Sequence, residues 1–291
     1  MQRHLSLVAV QAPPQLIGAP LSAFADEAHQ TLEKHPGTEL LVFPELHLFA
    51  DGSPDRHRTE ALRAAAEPLI GPRMEGLQEL ARTLGVWLVP GSLCEVGPQG
   101  ELFNTQVVLS PSGELAGSYR KIFPWRPHEP YDPGDEFVVV DLDGAGRVGL
   151  NICYDAWFPE ATRQLAWMGA DVILNVVKTT TPDRALELVL ARANAIVNQV
   201  FVVSVNCGGP TGEGRSIVVD PEGGIIAEAP DAAPALLATT LDLDAVDRVR
   251  ARGTAGVTRM WSQFQPGEPE IKLPVYGGRI DPATWQPTPR P

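Results

Sequence analysis

The chain has 291 residues, 44% of them hydrophobic. That supports a substantial core in one large domain or two small ones and excludes a disordered chain. Its 36 acidic residues outnumber 23 basic ones, for a formal net charge of −13, and no basic cluster interrupts that excess, so nucleic acid and anionic membrane are not expected partners.

LSLVAV (5–10) reads as a first strand, too short for a signal segment or a bilayer span. A helix follows over about 23–33, and ELLVFP (39–44) is a second strand that ends at Glu45. A loop containing DGSPD leads into a long helical region that breaks near Gly71–Pro72 and resumes through Gly85. VWLVPG (86–91) and FNTQVVLS (103–110) are the next strands, with GPQG as the turn between them, and PSG (111–113) turns into ELAGSYRK. After a loop over 124–136 come FVVVDL and RVGLNIC. A helix from about 159, the strand DVILNVV (171–177), and a helix over about 183–198 complete that portion. The strands QVFVVSVN (199–206), RSIVVD (215–220), GIIAEA (224–229) and ALLATTLD (235–242) close the regular part. NTQVVLSPSGELAGS and GRSIVVDPEGGIIAE share a strand–turn–strand shape, which suggests two similar α/β halves with their sheets face to face. No internal linker is visible, so one domain is expected over 1–250. The segment 251–291 is a Pro-rich tail, with Pro266, Pro269, Pro274, Pro282, Pro287, Pro289 and Pro291, expected to be disordered or an arm on the body or a neighbouring subunit.

The chemistry concentrates in RVGLNICYDAWFPE (147–160). Its alternating apolar residues stop at Cys153, and Pro159 and Glu160 suit the first turn of a helix. Cys153 therefore sits on a sharp strand-to-helix turn, a placement expected to bias a thiol toward thiolate. A lone cysteine there is also what a buried structural residue looks like. FPELH (43–47) puts Glu45 at a strand end, and YRKIFPW (119–125) puts Lys121 beside another. Taken singly, each is compatible with an ordinary surface residue. The three cysteines, Cys94, Cys153 and Cys207, have no metal-ligand spacing, so no metal is expected. No H-E-x-x-H zinc motif occurs, and GPTGEG (209–214) lacks the lysine and hydroxyl of a phosphate loop.

Together FPELH, YRKIFPW and CYDAWFPE resemble the Glu–Lys–Cys signature of the nitrilase superfamily of carbon–nitrogen hydrolases, over about residues 4–250. The resemblance implies a four-layer α-β-β-α sandwich, catalysis without a cofactor, and a homo-oligomer, dimer or higher. In its roles Cys153 is the nucleophile and Glu45 the general base. Lys121 and the backbone N–H of Tyr154 face the oxyanion. Glu129, eight residues after Lys121, is the second glutamate that positions substrate and lysine, preferred over Glu136 on spacing. Trp125, four after Lys121, matches a pocket wall of aliphatic amidases and formamidases; Trp157 is a further wall candidate, and Asp155 orders the turn or caps the helix.

Cys-Tyr-Asp is similar to omega-amidases and Trp-Phe-Pro-Glu to carbamoylputrescine amidases. The expected function is a cytoplasmic amidase that converts a small aliphatic amide to carboxylate and ammonia through a Cys thioester. The alternative is an N-carbamoyl amine or amino acid amidohydrolase; the alternative of another class is a catalytically silent binding protein of this fold. The paired arginines by which D-carbamoylases of this superfamily hold a carboxylate fall here on Ala156 and Trp157. Arg126, Lys178 and Arg184 remain as candidates to hold a substrate charge, and His128 as a rival partner for Cys153.

Overall fold

The computed structural model describes residues 2–51, 55–273 and 278–280. Expectations for Pro274, Pro282, Pro287, Pro289 and Pro291, and for much of the DGSPD loop, lie outside those residues. Elements follow in the order β1 (His4–Gln11), α1 (Leu21–Lys34), β2 (Leu40–Val42), α2 (Asp55–Ala65), α3 (Pro72–Leu84), β3 (Trp87–Val89), β4 (Ser92–Val96), β5 (Leu102–Leu109) and β6 (Leu115–Arg120). Then come β7 (Val139–Asp141), β8 (Arg147–Ile152), a 3-10 turn (Cys153–Trp157), α4 (Pro159–Trp167), β9 (Val172–Val177), α5 (Arg184–Asn198) and β10 (Phe201–Asn206). The chain continues through β11 (Ile217–Val219), β12 (Ile225–Glu228), β13 (Ala235–Asp242), α6 (Asp244–Arg252) and a hairpin of β14 (Ile271–Leu273) with β15 (Gly278–Ile280).

Two large sheets carry the fold, and they have the same plan. In the second the order is β7-β8-β9-β10-β11-β12, with β8, β9 and β10 parallel and the outer strands antiparallel. In the first, β13 pairs antiparallel with β1, which runs parallel to β2 and β3. β3 and β4 then pair antiparallel with β5, and β5 with β6. β3 and β4 are one strand interrupted at Pro90–Gly91. The resemblance between NTQVVLSPSGELAGS and GRSIVVDPEGGIIAE is thus the equivalence of the β5–β6 and β11–β12 hairpins.

The strand periodicity of two explains the layering. On β1, Leu5, Leu7 and Ala9 face one core while Val8 and Val10 face another; on β9, Val172, Leu174 and Val176 join the first core and Ile173 a third. The central core lies between the sheets. The second packs the outer face of the first sheet on Phe24 and Ala28 of α1 and on Met74, Leu77 and Ala81 of α3. The third packs the other outer face on Leu165 of α4 and on Leu188, Ala191 and Ala195 of α5. The i, i+3, i+4 spacing of these residues is what makes each helix one-sided. The outcome is the expected four-layer α-β-β-α sandwich.

Several elements were not anticipated, among them β4, α6 and the β14–β15 hairpin within the expected Pro-rich tail. β4 lies in the stretch between Gly91 and the expected GPQG turn, to which no element was assigned, and α6 follows β13 directly, burying Val246 and Val249. α6 also runs through position 250, the expected domain end. Beyond it Trp261 is 5% exposed, packs in the third core beside Trp167 and donates Nε1–H to the Asn198 carbonyl at 3.3 Å.

Candidate active site

The C-terminal ends of β2, β6, β8 and β9 converge at one side of the sandwich. Glu45 follows β2 and is held there by its neighbours' backbone. Phe43 N–H donates to the Val89 carbonyl at 2.9 Å, and Leu46 N–H to Ser92 Oγ at 3.0 Å. Gly91 has φ +89, and a Cβ on it would lie 1.8 Å from the Pro44 carbonyl. Only glycine permits that approach, so the break between β3 and β4 is what seats the Glu45 loop.

Lys121 follows β6. Its N–H donates to Asn104 O at 2.9 Å and its carbonyl accepts from Gly134. Its side chain is fully buried, and Nζ donates to Glu45 Oε1 at 3.2 Å and to both Glu129 oxygens at 2.9 Å. Asn104 Nδ2 donates to Glu45 Oε1 at 2.7 Å. Glu129 also accepts the Trp125 N–H at 2.7 Å, while the Glu129 and His128 N–H groups donate back to the Trp125 carbonyl. That tight turn explains the spacing of eight residues from Lys121.

Cys153 has φ +48, a left-handed conformation that costs a non-glycine residue energy and marks a constrained turn. Asp155 secures it. The fully buried Asp155 carboxylate accepts Tyr119 O–H at 2.8 Å, Phe123 N–H at 2.9 Å and Ile152 N–H at 3.0 Å. Asp155 therefore orders the turn rather than capping α4, whose first turn begins at Pro159. On the other side of the thiol, Thr179 Oγ1 lies 3.9 Å from Cys153 Sγ. Thr179 donates its hydroxyl to Glu187 at 2.8 Å, and Glu187 is held by Arg184 Nη1 at 3.0 Å.

The ionisation of this cluster corrects one expectation. Burial, then the negative charge of Glu45, raise the Cys153 thiol well above its ordinary value, and Lys121 only partly offsets them. The resting sulfur is a neutral thiol, because desolvation outweighs the turn's few N–H dipoles. Burial also raises Glu45, against the pull of Lys121 and with the help of Glu129. Burial alone would lower Lys121, but Glu45, Cys153 and Glu129 lift it well above its ordinary value, so it stays an ammonium. Asp155 is pushed up to about 6 by burial, despite Lys121 and its three hydrogen-bond donors.

Glu45 and Cys153 line a cavity of ≈190 Å³, while Lys121 and Asp155 are not among its lining residues; the volume is below the ~300–1,000 Å³ of drug-sized ligand sites. Glu45, Glu129, Cys153, Tyr154, Trp125 and Trp157 all face it. Glu136 instead lines a separate hollow with Ser118 and Arg120. His128 packs on Trp125 at a ring separation of 4.1 Å. Of the candidates to hold a substrate charge, Arg126 donates to the Tyr131 carbonyl, and Arg184 is engaged by Glu187, Ser204 and the carbonyls of Gly214 and Arg215; only Lys178 lines the cavity. Cys94 and Cys207 are buried thiols, raised by burial to about 11 and about 12. Among the described residues no His, Cys, Asp and Glu group has the arrangement of a metal site, and no helix is long and apolar enough to cross a membrane.

The sequence reading missed Asn104, Tyr119, Thr179 and Glu187. A signal existed for the last. Arg184 and Glu187 sit in phase with Leu188 and Ala191, on the apolar face of α5, where charged residues need partners.

The carbon-nitrogen hydrolase family matches residues 7–251. A formamidase of Pseudomonas syringae pv. syringae is 32% identical over 226 residues, 74% of this chain and 63% of that protein, so the chain spans less than two thirds of that relative. Nit3 of Saccharomyces cerevisiae, a member of the nitrilase superfamily, superposes with a TM-score of 0.76 at 26% identity, over 86% of this chain and 94% of that one. A cysteine-to-alanine mutant of an amidase from Nesterenkonia sp. AN1, in complex with butyramide, superposes with a TM-score of 0.68 at 28% identity, over 86% and 95% of the two chains. The chain belongs to the carbon–nitrogen hydrolase family.

Proposed function

We propose that the protein is an amidase that hydrolyses a small amide to carboxylate and ammonia through a thioester on Cys153. The observation that carries this is the Cys153 thiol on its constrained turn, in one small cavity with a Glu45–Lys121–Glu129 cluster linked through a single ammonium. The butyramide held by the Nesterenkonia amidase mutant supports an amide of that size.

A neutral thiol and a carboxylate of raised pKa are matched for proton transfer during attack rather than before it. As Sγ bonds to the amide carbon, Glu45 takes the thiol proton. The carbonyl electrons move onto oxygen, facing the Lys121 ammonium and the Tyr154 N–H. Collapse breaks the C–N bond, with Glu45 returning the proton to the leaving nitrogen, so ammonia departs and a thioester remains. Water then attacks the thioester, Glu45 takes its proton, and the second collapse releases the carboxylic acid and restores the thiol. Glu129 holds Lys121 through both oxygens and fixes its direction. Trp125, Trp157 and Tyr154 wall the acyl pocket.

Ammonia release across formamide to hexanamide, paired with intact mass of the enzyme during turnover, tests the reading. An acyl adduct on the wild type and its loss in Cys153→Ala are expected. Turnover of every amide at the background rate overturns it.

A further inference from the structure

The thiol has a neighbour that the chemistry above does not use. Thr179, just beyond the end of β9, is pinned at both backbone groups: its N–H donates to Asn206 Oδ1 at 2.9 Å, and its carbonyl accepts the Glu213 N–H at 2.9 Å. Its hydroxyl donates to Glu187 at 2.8 Å. Glu187 is held by Arg184, and Arg184 by Ser204 and the carbonyls of Gly214 and Arg215. Thr179, Glu187 and Arg184 are all buried. Apolar residues of similar volume often stabilise a fold as well as a buried ion pair does, so stability alone does not account for this chain of contacts.

The chain ends at Cys153 Sγ, 3.9 Å from Thr179 Oγ1. A hydroxyl has one hydrogen, and Glu187 holds it, so only the lone pairs of Oγ1 remain for the sulfur. The resting sulfur is a neutral thiol and therefore a donor. The two fit in one direction: S–H donates and Oγ1 accepts. Among the described residues Glu45 makes no hydrogen bond to Sγ; its Oε1 accepts from Asn104 and Lys121. Charge reaches the sulfur from Glu45, Lys121 and Glu129, which follow strands of the first sheet, and from Glu187 on α5. Arg184 lies against Glu187, and Asp155 is bound into the turn itself.

We propose that Thr179, oriented by Glu187 and Arg184, is a positioning residue that holds the Cys153 thiol hydrogen away from Glu45 in the free enzyme. Substrate binding then turns S–H toward Glu45 by rotation about Cβ–Sγ, which moves the hydrogen and leaves the sulfur in place. The proton meets its base only when an amide is there to be attacked, and the resting thiol is less open to other electrophiles. This rests on Cys153 being the nucleophile and adds the resting position of its proton.

Alkylation of Cys153 by iodoacetamide, followed by mass from about pH 6 to 10, tests this in the wild type, Thr179→Val, Thr179→Ser and Glu187→Gln. Thr179→Val keeps the shape and removes the acceptor. The thiol should then ionise more easily and react about two- to fivefold faster at neutral pH, the lower part of the range for one neutral hydrogen bond because S–H is a weak donor. Thr179→Ser should keep the wild-type rate. Glu187→Gln should accelerate alkylation at least as much as Thr179→Val, since it also removes a charge that raises the thiol. If the three residues only anchor α5, no rate moves. An unchanged or slower rate in Thr179→Val, or equal acceleration in Thr179→Ser, overturns the proposal. Should Thr179→Val not fold, the infrared S–H stretch of Cys153, isolated by subtracting Cys153→Ala, decides. It should lie below that of a free thiol in the wild type and stay there in Glu45→Gln; a free-thiol position in either protein overturns the proposal. Neither readout needs turnover, so their failure leaves the amidase reading intact, whereas absence of amide hydrolysis overturns that reading alone.

Discussion

Replacing Glu129 by glutamine removes one negative charge and one acceptor from a cluster in which every contact is accounted for. Glu129 accepts two hydrogen bonds from Lys121 at 2.9 Å and one from Trp125 N–H at 2.7 Å, and glutamine offers one oxygen where the carboxylate offers two. One of its donors then faces either the Lys121 ammonium or the Trp125 N–H. A charge-assisted hydrogen bond contributes about 1.5–3 kcal/mol, and a misplacement of about 1 Å costs roughly 100-fold in rate. Glu129→Gln should therefore lower kcat/KM about 10²- to 10³-fold, mostly in kcat. The pH profile separates positioning from mere structural support. Glu129's charge helps to raise Glu45, so its removal lowers the Glu45 pKa and moves the acid limb of kcat/KM to lower pH. The thiol should still react with iodoacetamide, whereas Glu45→Gln should slow alkylation. Ammonia release from pH 4 to 9, with alkylation followed by mass, is the assay. A variant with the wild-type rate, or with slow turnover and an unmoved acid limb, refutes the positioning role.

Cys153→Ala should abolish turnover with the fold intact by circular dichroism, whereas Cys94→Ala should retain activity; turnover at the wild-type rate by pure Cys153→Ala refutes the nucleophile. Asp155→Asn should cost about 1–3 kcal/mol, because one backbone N–H of Ile152 or Phe123 loses its acceptor, and should lower kcat about 100-fold by loosening the turn. The pH dependence of that stability has a definite sign. A carboxyl raised from 3.8 to about 6 on folding contributes stability that is fully present below its unfolded pKa and is lost as pH rises through about 6. About two pH units at ~1.4 kcal/mol each amount to ~3 kcal/mol, so urea unfolding from pH 3 to 7 should show Asp155→Asn lacking that slope. Trp125→Ala should raise kcat/KM for hexanamide relative to propionamide about tenfold or more, since each methylene in an apolar pocket is worth about 1–3 kcal/mol; an unchanged chain-length profile refutes Trp125 as the wall.

What could be read from the sequence was whatever local chemistry specifies. Cys153, Glu45, Lys121 and Glu129 each sit beside a strand or turn signal, and their order along the chain identified the family. β4 was hidden because Gly91 looks like the end of a strand. It is instead a kink demanded by the close approach of the Pro44 carbonyl. α6 was hidden because five of its nine residues are charged and it follows β13 after a single residue, Leu243. The phase of Arg184 and Glu187 on α5 marked them as buried, but their partners were hidden, because Arg184 donates to the Gly214 and Arg215 carbonyls some thirty residues further on. The thiolate expectation failed for a related reason. A turn's dipoles can be read from sequence, whereas the burial that outweighs them comes from the tertiary fold.

The matching plan of the two sheets raises the question of why only one side carries this chemistry. β1 occupies in the first sheet the place of β8 in the second, each between an antiparallel outer strand and a parallel inner one. Gln11 at the end of β1 therefore corresponds to the position just before Cys153. Gln11 is buried, and its amide is fully used: Nε2 donates to the Asp231 and Ala233 carbonyls, and Oε1 accepts the Ser216 N–H. A glutamine so engaged ties β1 to the loop before β13 and to Ser216. β2 likewise corresponds to β9, so the Glu45 loop and Lys178 leave equivalent strands. In one half that strand end supplies a carboxylate to the Lys121 ammonium, and in the other it supplies a cation to the cavity. The architecture repeats, while the residues at its strand ends differ: a carboxylate engaged by Lys121 in the first half, and the Cys153 thiol and the Lys178 ammonium in the other.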